Sequence, residues 1–345
     1  MKWYVKVIKW SMLALVIELA AFIYVDKFYL SEIKDFSAKK VETQKPEVKT
    51  KKDIKIPQDA KFVSISYEGK YVSYIQNGEV TVINRETEKA EKVALYEGTT
   101  ATYLKWLDEK ELLFIAEKGK GVVRFSSYNP VKAVNNQWKE SSGKESKLYL
   151  PDSKYEVKDI ARSSYANVTY VNVGTASRSI IYRFDIMSEV TKSKDLYGKI
   201  GKLGATQLED KLIYEDLTHN KLYVEGYPNM FKNKGISNPC ILGFDFEDTC
   251  YFGNKSGDKV TEIYYGALKT PLSQWTKIPL DKPEKQANVI ISTDGKMCIN
   301  NALEGTITDL KTNKISTYKG KFVALYKSGI VSIENDMLIE NKIEQ

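Results

Sequence analysis

The chain has 345 residues, 42% of them hydrophobic and 28% charged, so it can bury a sizeable core and is not a disordered protein. Its net charge of +7 is concentrated at one end: residues 1–52 hold 11 Lys and 6 acidic residues, which leaves 41 basic and 39 acidic residues for the rest. A body that is nearly neutral, with five Arg in all, lacks the basic face of a nucleic-acid-binding protein. No nucleic-acid partner is expected.

The first predicted element is a transmembrane helix over residues 10–30, which supply the roughly 20 residues that a bilayer crossing needs. Lys2, Lys6 and Lys9 precede it and place residues 1–9 in the cytoplasm by the positive-inside rule. We therefore expect a single-pass protein of the cell membrane whose remaining domains lie outside.

Two alternatives to an anchor remain for this segment. A cleavable signal peptide begins similarly, but the one small-residue site, Ala20-Ala21, directly follows Leu19 and Glu18 and is a poor processing site. A buried helix of a soluble domain would need a partner helix, and none is predicted nearby.

Glu18 is the one charged residue between Trp10 and Val25. A carboxylate at mid-bilayer costs about 2.5 to 3.5 kcal/mol on insertion scales. Protonation, displacement towards the interface by helix tilt, or pairing with a group on another helix would each relieve this cost. We expect Glu18 to be a docking contact in a membrane complex.

Residues 31–57 are polar, rich in Lys and interrupted by Pro46, which is typical of a stalk. Its last five residues, "DIKIP" (53–57), alternate like a short strand. The segment thus predicts a spacer with a possible extra strand at its end.

Residues 58–345 repeat a four-strand pattern, which is clearest in "KFVSISYEGKYVSYIQNGEVTVINRETEKAEKVALYEG" at 61–98. Asn77-Gly78 is a strong hairpin signal, because a type I′ turn needs positive φ at both positions. Repeats begin near residues 62, 102, 156, 203, 239, 287 and 322, at steps that average a little over 40 residues, the blade period of a β-propeller. The predicted fold is all-β, a propeller of four-stranded blades; seven blades are favoured, and six or eight remain open.

Two of these repeats, "ISYEGKYVSYI" and "ISTDGKMCINN", resemble the S-P-D-G-K turn of TolB-type propellers, a family that includes the propellers of prolyl oligopeptidases. Neither repeat has the family's Pro. The resemblance implies the propeller architecture for residues 58–345, and its motif is specific for fold rather than function.

The last repeat provides three strands instead of four. "DIKIP" immediately precedes the first repeat and is predicted to supply the missing outer strand. Closure of this kind removes an exposed sheet edge.

The residue patterns of common enzymes are missing, so we predict no catalytic residues and no enzyme activity. There is no G-x-S-x-G motif, and the single His, His219, lies in a predicted turn. Acidic residues of "GFDFEDTC" and Asp294 occupy turn positions, where polar side chains are expected. "KGKGVV" at 118–123 lacks the third Gly and the helix of a nucleotide site, so no cofactor is predicted.

Cysteine is sparse as well: Cys240, Cys250 and Cys298 are too few and too scattered for a disulfide framework or a zinc site. No metal is predicted, and three buried thiols are expected.

Three long loops follow predicted third strands, at 126–146, 225–239 and 264–279. Their aromatic residues Tyr128, Trp138, Tyr227 and Trp275 would share one face of the disc and bind an extended peptide or a sugar chain. The competing interpretation is that Trp138 and Trp275 begin fourth strands and pack between blades.

The sequence thus supports two functions. The first is a membrane-anchored extracytoplasmic propeller that docks a membrane or envelope protein without catalysis. The second is a cell-surface enzyme or sensor that binds glycan or peptide through the aromatic loops.

Overall fold

The structure is a computed structural model that describes residues 2–24, 54–107, 110–231, 235–326 and 329–343. The chain divides into two compact units, one that ends at Thr50 and one that begins at Lys51.

The first unit contains helix α1, Lys2–Tyr24. Its segment Lys6–Tyr24 has a mean hydropathy of 1.8 and is, within the described residues, the one helix long and apolar enough to cross a membrane. A signal sequence meets the same test. Residues 25–30 of the predicted span and residues 31–53 of the predicted stalk lie outside the described residues.

The second unit is an all-β propeller, in which seven antiparallel sheets, the blades, surround a central channel. The described strands in chain order are β1 (Ile54–Lys55), β2 (Lys61–Ile65), β3 (Tyr71–Gln76), β4 (Glu79–Asn84), β5 (Ala90–Lys92), β6 (Thr100–Trp106), β7 (Leu113–Gly119), β8 (Val122–Asn129), β9 (Val134–Gln137), β10 (Lys147–Tyr149), β11 (Glu156–Ser163), β12 (Val168–Gly174), β13 (Arg178–Phe184), β14 (Val190–Tyr197), β15 (Ile200–Ala205), β16 (Leu212–Asp216), β17 (Lys221–Val224), β18 (Pro239–Phe244), β19 (Thr249–Ser256), β20 (Lys259–Ala267), β21 (Thr276–Lys285), β22 (Val289–Ile291), β23 (Met297–Asn301), β24 (Thr306–Asp309), β25 (Ile315–Thr317), β26 (Lys321–Tyr326), β27 (Gly329–Glu334) and β28 (Met337–Lys342). Two short 3₁₀ helices, Leu272–Gln274 and Gln286–Asn288, flank β21.

The prediction of seven blades is confirmed. Blades 1 to 6 consist of β2–β5, β6–β10, β11–β14, β15–β17, β18–β21 and β22–β25, and blade 7 of β26–β28 with β1. We label the strands of each blade A to D from the channel outwards. In blade 2, β9 and β10 both pair with β8 and share the D position, and blade 4 has three strands in the part of the chain that is described.

The position of a strand in its blade determines how far it is buried, and its burial explains its pattern of apolar and polar residues. The second strand of a blade is covered on both faces, so β12, "VTYVNVG", is buried at every residue. The outermost strand has a solvent side, and β14, "VTKSKDLY", is polar and largely accessible. Asn77 and Gly78 have φ of +52° and +79°, as the predicted hairpin turn requires.

Neighbouring strands are antiparallel, so the A–B and C–D turns lie at one end of the disc and the B–C and D–A turns at the other. We call these ends the A–B face and the B–C face. The apolar cores lie between adjacent blades; one of them joins Phe125 of blade 2 to Val171 and Phe184 of blade 3.

Blade 7 is completed by the chain that precedes blade 1. Ile54 lies opposite Leu338 and Lys55 opposite Met337, and the backbone N–H of Ile56 donates a 2.7 Å hydrogen bond to the carbonyl of Asp336. The strand β1 therefore occupies the outer position for which "DIKIP" is predicted; Asp53 of that segment lies outside the described residues.

Candidate functional site

The predicted aromatic residues of blade 2 pack inside the propeller. Tyr128 is 3% exposed and its hydroxyl donates a 2.6 Å hydrogen bond to Glu91 of blade 1. Burial, together with this bond, raises the pKa of Tyr128. Trp138 is half-buried and stacks at 5.5 Å on Phe125, while its indole N–H donates a 2.8 Å bond to Ser127.

The other two predicted aromatic residues pack between blades 4 and 5. Trp275 is buried, stacks at 5.4 Å on Phe252, and donates its indole N–H to the carbonyl of Thr270. Tyr227 packs against the same core. The structure thus divides the four side chains among three interblade cores, and Trp138 and Trp275 pack between blades.

The A–B face is held together by hydrogen bonds between the turns of successive blades. The N–H of Tyr165 in blade 3 donates to the carbonyl of Gln207 in blade 4 at 3.1 Å. The N–H of Leu208 donates to the Asp248 carboxylate of blade 5 at 2.8 Å. The N–H of Phe246 donates in turn to the carbonyl of Thr293 in blade 6 at 3.0 Å. These hydrogen bonds fix the A–B turns of blades 3, 4, 5 and 6 relative to one another.

The central channel contains two cavities near this face, of about 250 and 280 Å³, which share Trp106, Leu107, Ile291 and Thr293 in their walls. Tyr67 of blade 1 reaches Phe246 of blade 5, and their rings meet edge to face at 6.0 Å. This contact joins two blades that are far apart in the ring.

The carboxylate of Asp159 in the channel wall is occupied by structural bonds. One oxygen accepts hydrogen bonds from the hydroxyl of Tyr103 at 3.1 Å and from the N–H of Ile160 at 2.8 Å. The other oxygen accepts the N–H of Leu203 at 2.8 Å, and the ammonium of Lys105 lies 3.5 Å from the first oxygen. Asp159 therefore links blades 2, 3 and 4, and both of its carboxylate oxygens are engaged in these structural contacts.

Other acidic side chains cap turns. Asp245 accepts the N–H of Glu247 at 3.0 Å and that of Thr249 at 2.9 Å. His219 is exposed in the B–C turn of blade 4, with its Nδ1 2.7 Å from Asp216. Among the described residues, no group of three or more His, Cys, Asp or Glu side chains is arranged to hold a metal ion.

The A–B face carries a set of exposed apolar side chains, which the sequence patterns do not predict. It lies on four turns, 164–167, 185–189, 206–211 and 245–248, which we call the blade 3–5 sector. The apolar members are Tyr165, Ile186, Met187 and Leu208, which are 71%, 65%, 49% and 57% exposed. The one sequence feature that could have indicated this surface is an apolar residue at a turn position, where polar residues are usual.

These features define the chain as a seven-bladed β-propeller. Neither a protein-family model nor a curated protein matches the sequence. Similar solved structures include oligogalacturonate lyase in complex with manganese (TM-score 0.55, 10% identity, 82% of this chain and 88% of that one), a chain of the mitotic checkpoint complex (0.52, 11%, 86% and 92%), and the Cps50 (Swd1) β-propeller domain of Myceliophteria thermophila (0.51, 11%, 85% and 98%). At these identities the likeness shows the fold alone.

Proposed function

We propose that this chain is a membrane-anchored, extracytoplasmic protein-docking module of a membrane or envelope complex, and that it acts without catalysis. The observation that carries the proposal is the blade 3–5 sector, in which four apolar side chains are exposed on turns that hydrogen bonds hold in place. Large exposed apolar side chains that are grouped on one face of a soluble protein mark interaction sites. A propeller fold fits such a protein-interaction role.

We also infer a TolB-type relationship for the repeats. The two turns that carry the resemblance have the same local geometry: Gly69 and Gly295 have φ of +71° and +79°, and their N–H groups donate to the carbonyls of Ser66 and Ser292 at 2.9 and 3.0 Å. A shared glycine turn after the A strand supports a common repeat and does not assign a partner.

The proposed topology predicts that a cysteine introduced into the stalk, Ser37→Cys, is labelled on intact cells by a membrane-impermeant maleimide. The native thiols should contribute little background, because Cys240, Cys250 and Cys298 are buried. Burial also raises the pKa of Cys240 to about 12 and that of Cys298 to about 11, so little reactive thiolate is present near neutral pH. The unsubstituted protein is the control, and complete protection of the introduced Cys would contradict the orientation.

The anchor is proposed to contribute to docking through Glu18. Replacing Glu18 with Leu should improve membrane insertion, since it removes a mid-bilayer carboxylate, and should reduce the partner that co-purifies from detergent-solubilised membranes. Ser11, Ala14 and Ala21 would let a second helix approach closely. Glu18→Gln, which keeps hydrogen-bonding capacity, is the control and should retain more partner than Glu18→Leu.

Full partner recovery with Glu18→Leu would remove Glu18 from the docking contact. Recovery of no protein partner from the wild-type chain, with or without prior cross-linking, would contradict the docking function itself.

A further inference from the structure

The blade 3–5 sector combines its apolar side chains with an unusual charge. Its four turns contain seven acidic residues and one Lys: Asp185, Glu189, Glu209, Asp210, Lys211, Asp245, Glu247 and Asp248. The whole chain, by contrast, has a formal charge of +7. The sector is therefore an acidic and apolar region on a protein that is otherwise neutral to basic.

Hydrogen bonds join three of the four turns and thereby bring apolar and acidic groups together. Leu208 donates its N–H to the Asp248 carboxylate at 2.8 Å, which places this apolar side chain beside a turn that also carries the exposed Glu247. Tyr165 is linked to the same blade 4 turn through Gln207. On the outer side, Arg183 forms a 2.6 Å ion pair with Asp210 of blade 4. Arg183 lies near the end of β13, two residues before the turn that exposes Ile186.

Some of these carboxylates have basic neighbours, but the negative charge remains in excess. Glu209 lies 2.5 Å from Lys269 and Asp210 pairs with Arg183. Asp185, Asp245 and Asp248 accept backbone N–H groups, which orients the carboxylates without neutralising them. An apolar surface within a negative field attracts a partner that offers apolar side chains together with positive charge.

We propose that the blade 3–5 sector binds an amphipathic segment of a partner protein that is rich in Lys or Arg. This inference rests on the proposed docking function and specifies the chemistry of the partner. The apolar side chains of the segment cover Tyr165, Ile186, Met187 and Leu208, and its basic side chains face the surrounding carboxylates. Anionic lipid headgroups would be repelled by the same carboxylates, so a protein is the favoured occupant over a membrane surface.

The test is photo-cross-linking with the full-length protein in its native membrane. The variant Leu208→p-benzoylphenylalanine places the probe in the sector. Leu303 is fully exposed in the B–C turn of blade 6, on the opposite face, and Leu303→p-benzoylphenylalanine is the matched control. The cross-linked peptide is identified by mass spectrometry, which reads the composition of the contacted segment directly.

We expect position 208 to give a protein adduct whose contacted segment is amphipathic and has a net positive charge. Adding Glu247→Lys to that variant should reduce the adduct yield roughly threefold to tenfold, because an attraction becomes a repulsion. Glu304→Lys, an exposed charge reversal beside the control position, should leave the yield unchanged.

Several outcomes would overturn the inference: an adduct to lipid, a neutral or acidic segment, no adduct at position 208, or insensitivity to Glu247→Lys. If position 303 alone captures a protein, the docking function stands and the sector is the wrong surface. If neither position captures a protein and none co-purifies, both the inference and the docking function fail.

Discussion

Replacing Arg85 with Ala is expected to lower the free energy of unfolding of the propeller by about 3 kcal/mol, the lower end of the effect of removing one partner of a buried ion pair, because the Glu340 carboxylate that remains is 22% exposed. Arg85 is 3% exposed and donates a 2.8 Å hydrogen bond to Glu340 of blade 7. Its guanidinium also donates to the carbonyl of Gly69 and lies 5.7 Å from the ring centre of Tyr326. Arg85 thus joins blade 1 to β28, the last strand of the chain, which is held to β1 by strand pairing and not by a chain connection.

The measurement is urea unfolding of the full-length protein in a non-ionic detergent, followed by tryptophan fluorescence. Lys92→Ala is the matched control on the same blade. Lys92 pairs with Glu79 at 2.7 Å, but both side chains are more than half exposed, and an exposed ion pair contributes little to stability. Equal unfolding midpoints for the two variants would show that the Arg85 contact is not part of the closure.

Much of the propeller was predictable because its signals are local. Turn chemistry such as Asn77-Gly78 marks hairpins directly, and strands buried on both faces read as continuous apolar runs. The repeat of these short-range signals sets the number of blades. The missing outer strand of blade 7 was predictable from counting alone, since a closed ring leaves no sheet edge unpaired.

The environments of the aromatic loop residues depend on contacts that are distant in sequence. Trp138 lies 5.3 Å from Phe184 of the following blade, and nothing in the loop that contains Trp138 indicates this neighbour. A Trp in a polar loop has the same local pattern whether it binds a ligand or packs between blades. The sequence therefore identified these residues as informative without distinguishing the two environments.

The blade 3–5 sector was missed for a related reason. Tyr165, Ile186 and Leu208 come from three separate turns, each with one or two apolar residues, and an isolated exposed apolar residue is ordinary. Only the ring arrangement and the hydrogen bond from Tyr165 to Gln207 reveal that these turns are neighbours. Such a surface is a property of the assembled disc.

Removing the closing strand should have an effect as large as the loss of Arg85. A chain that begins at residue 58 lacks β1, whereas one that begins at residue 48 retains it. Ile54 and Ile56 are 6% and 2% exposed and pack with Val331 and Leu338. Burying one Ile side chain contributes about 1.5–3 kcal/mol, so the loss of both should lower the free energy of unfolding by roughly 3–6 kcal/mol.

The same truncation also exposes β28 as an open edge, since Ile54 and Lys55 no longer cover Leu338 and Met337. For a domain of this size the combined loss should lower the melting temperature on the order of 10 °C, as measured by differential scanning calorimetry. The shorter chain should also aggregate more readily, because an unpaired strand edge offers free backbone groups to another molecule. Equal melting temperatures would mean that blade 7 is stable with three strands, and that the N-terminal segment connects to the ring without closing it.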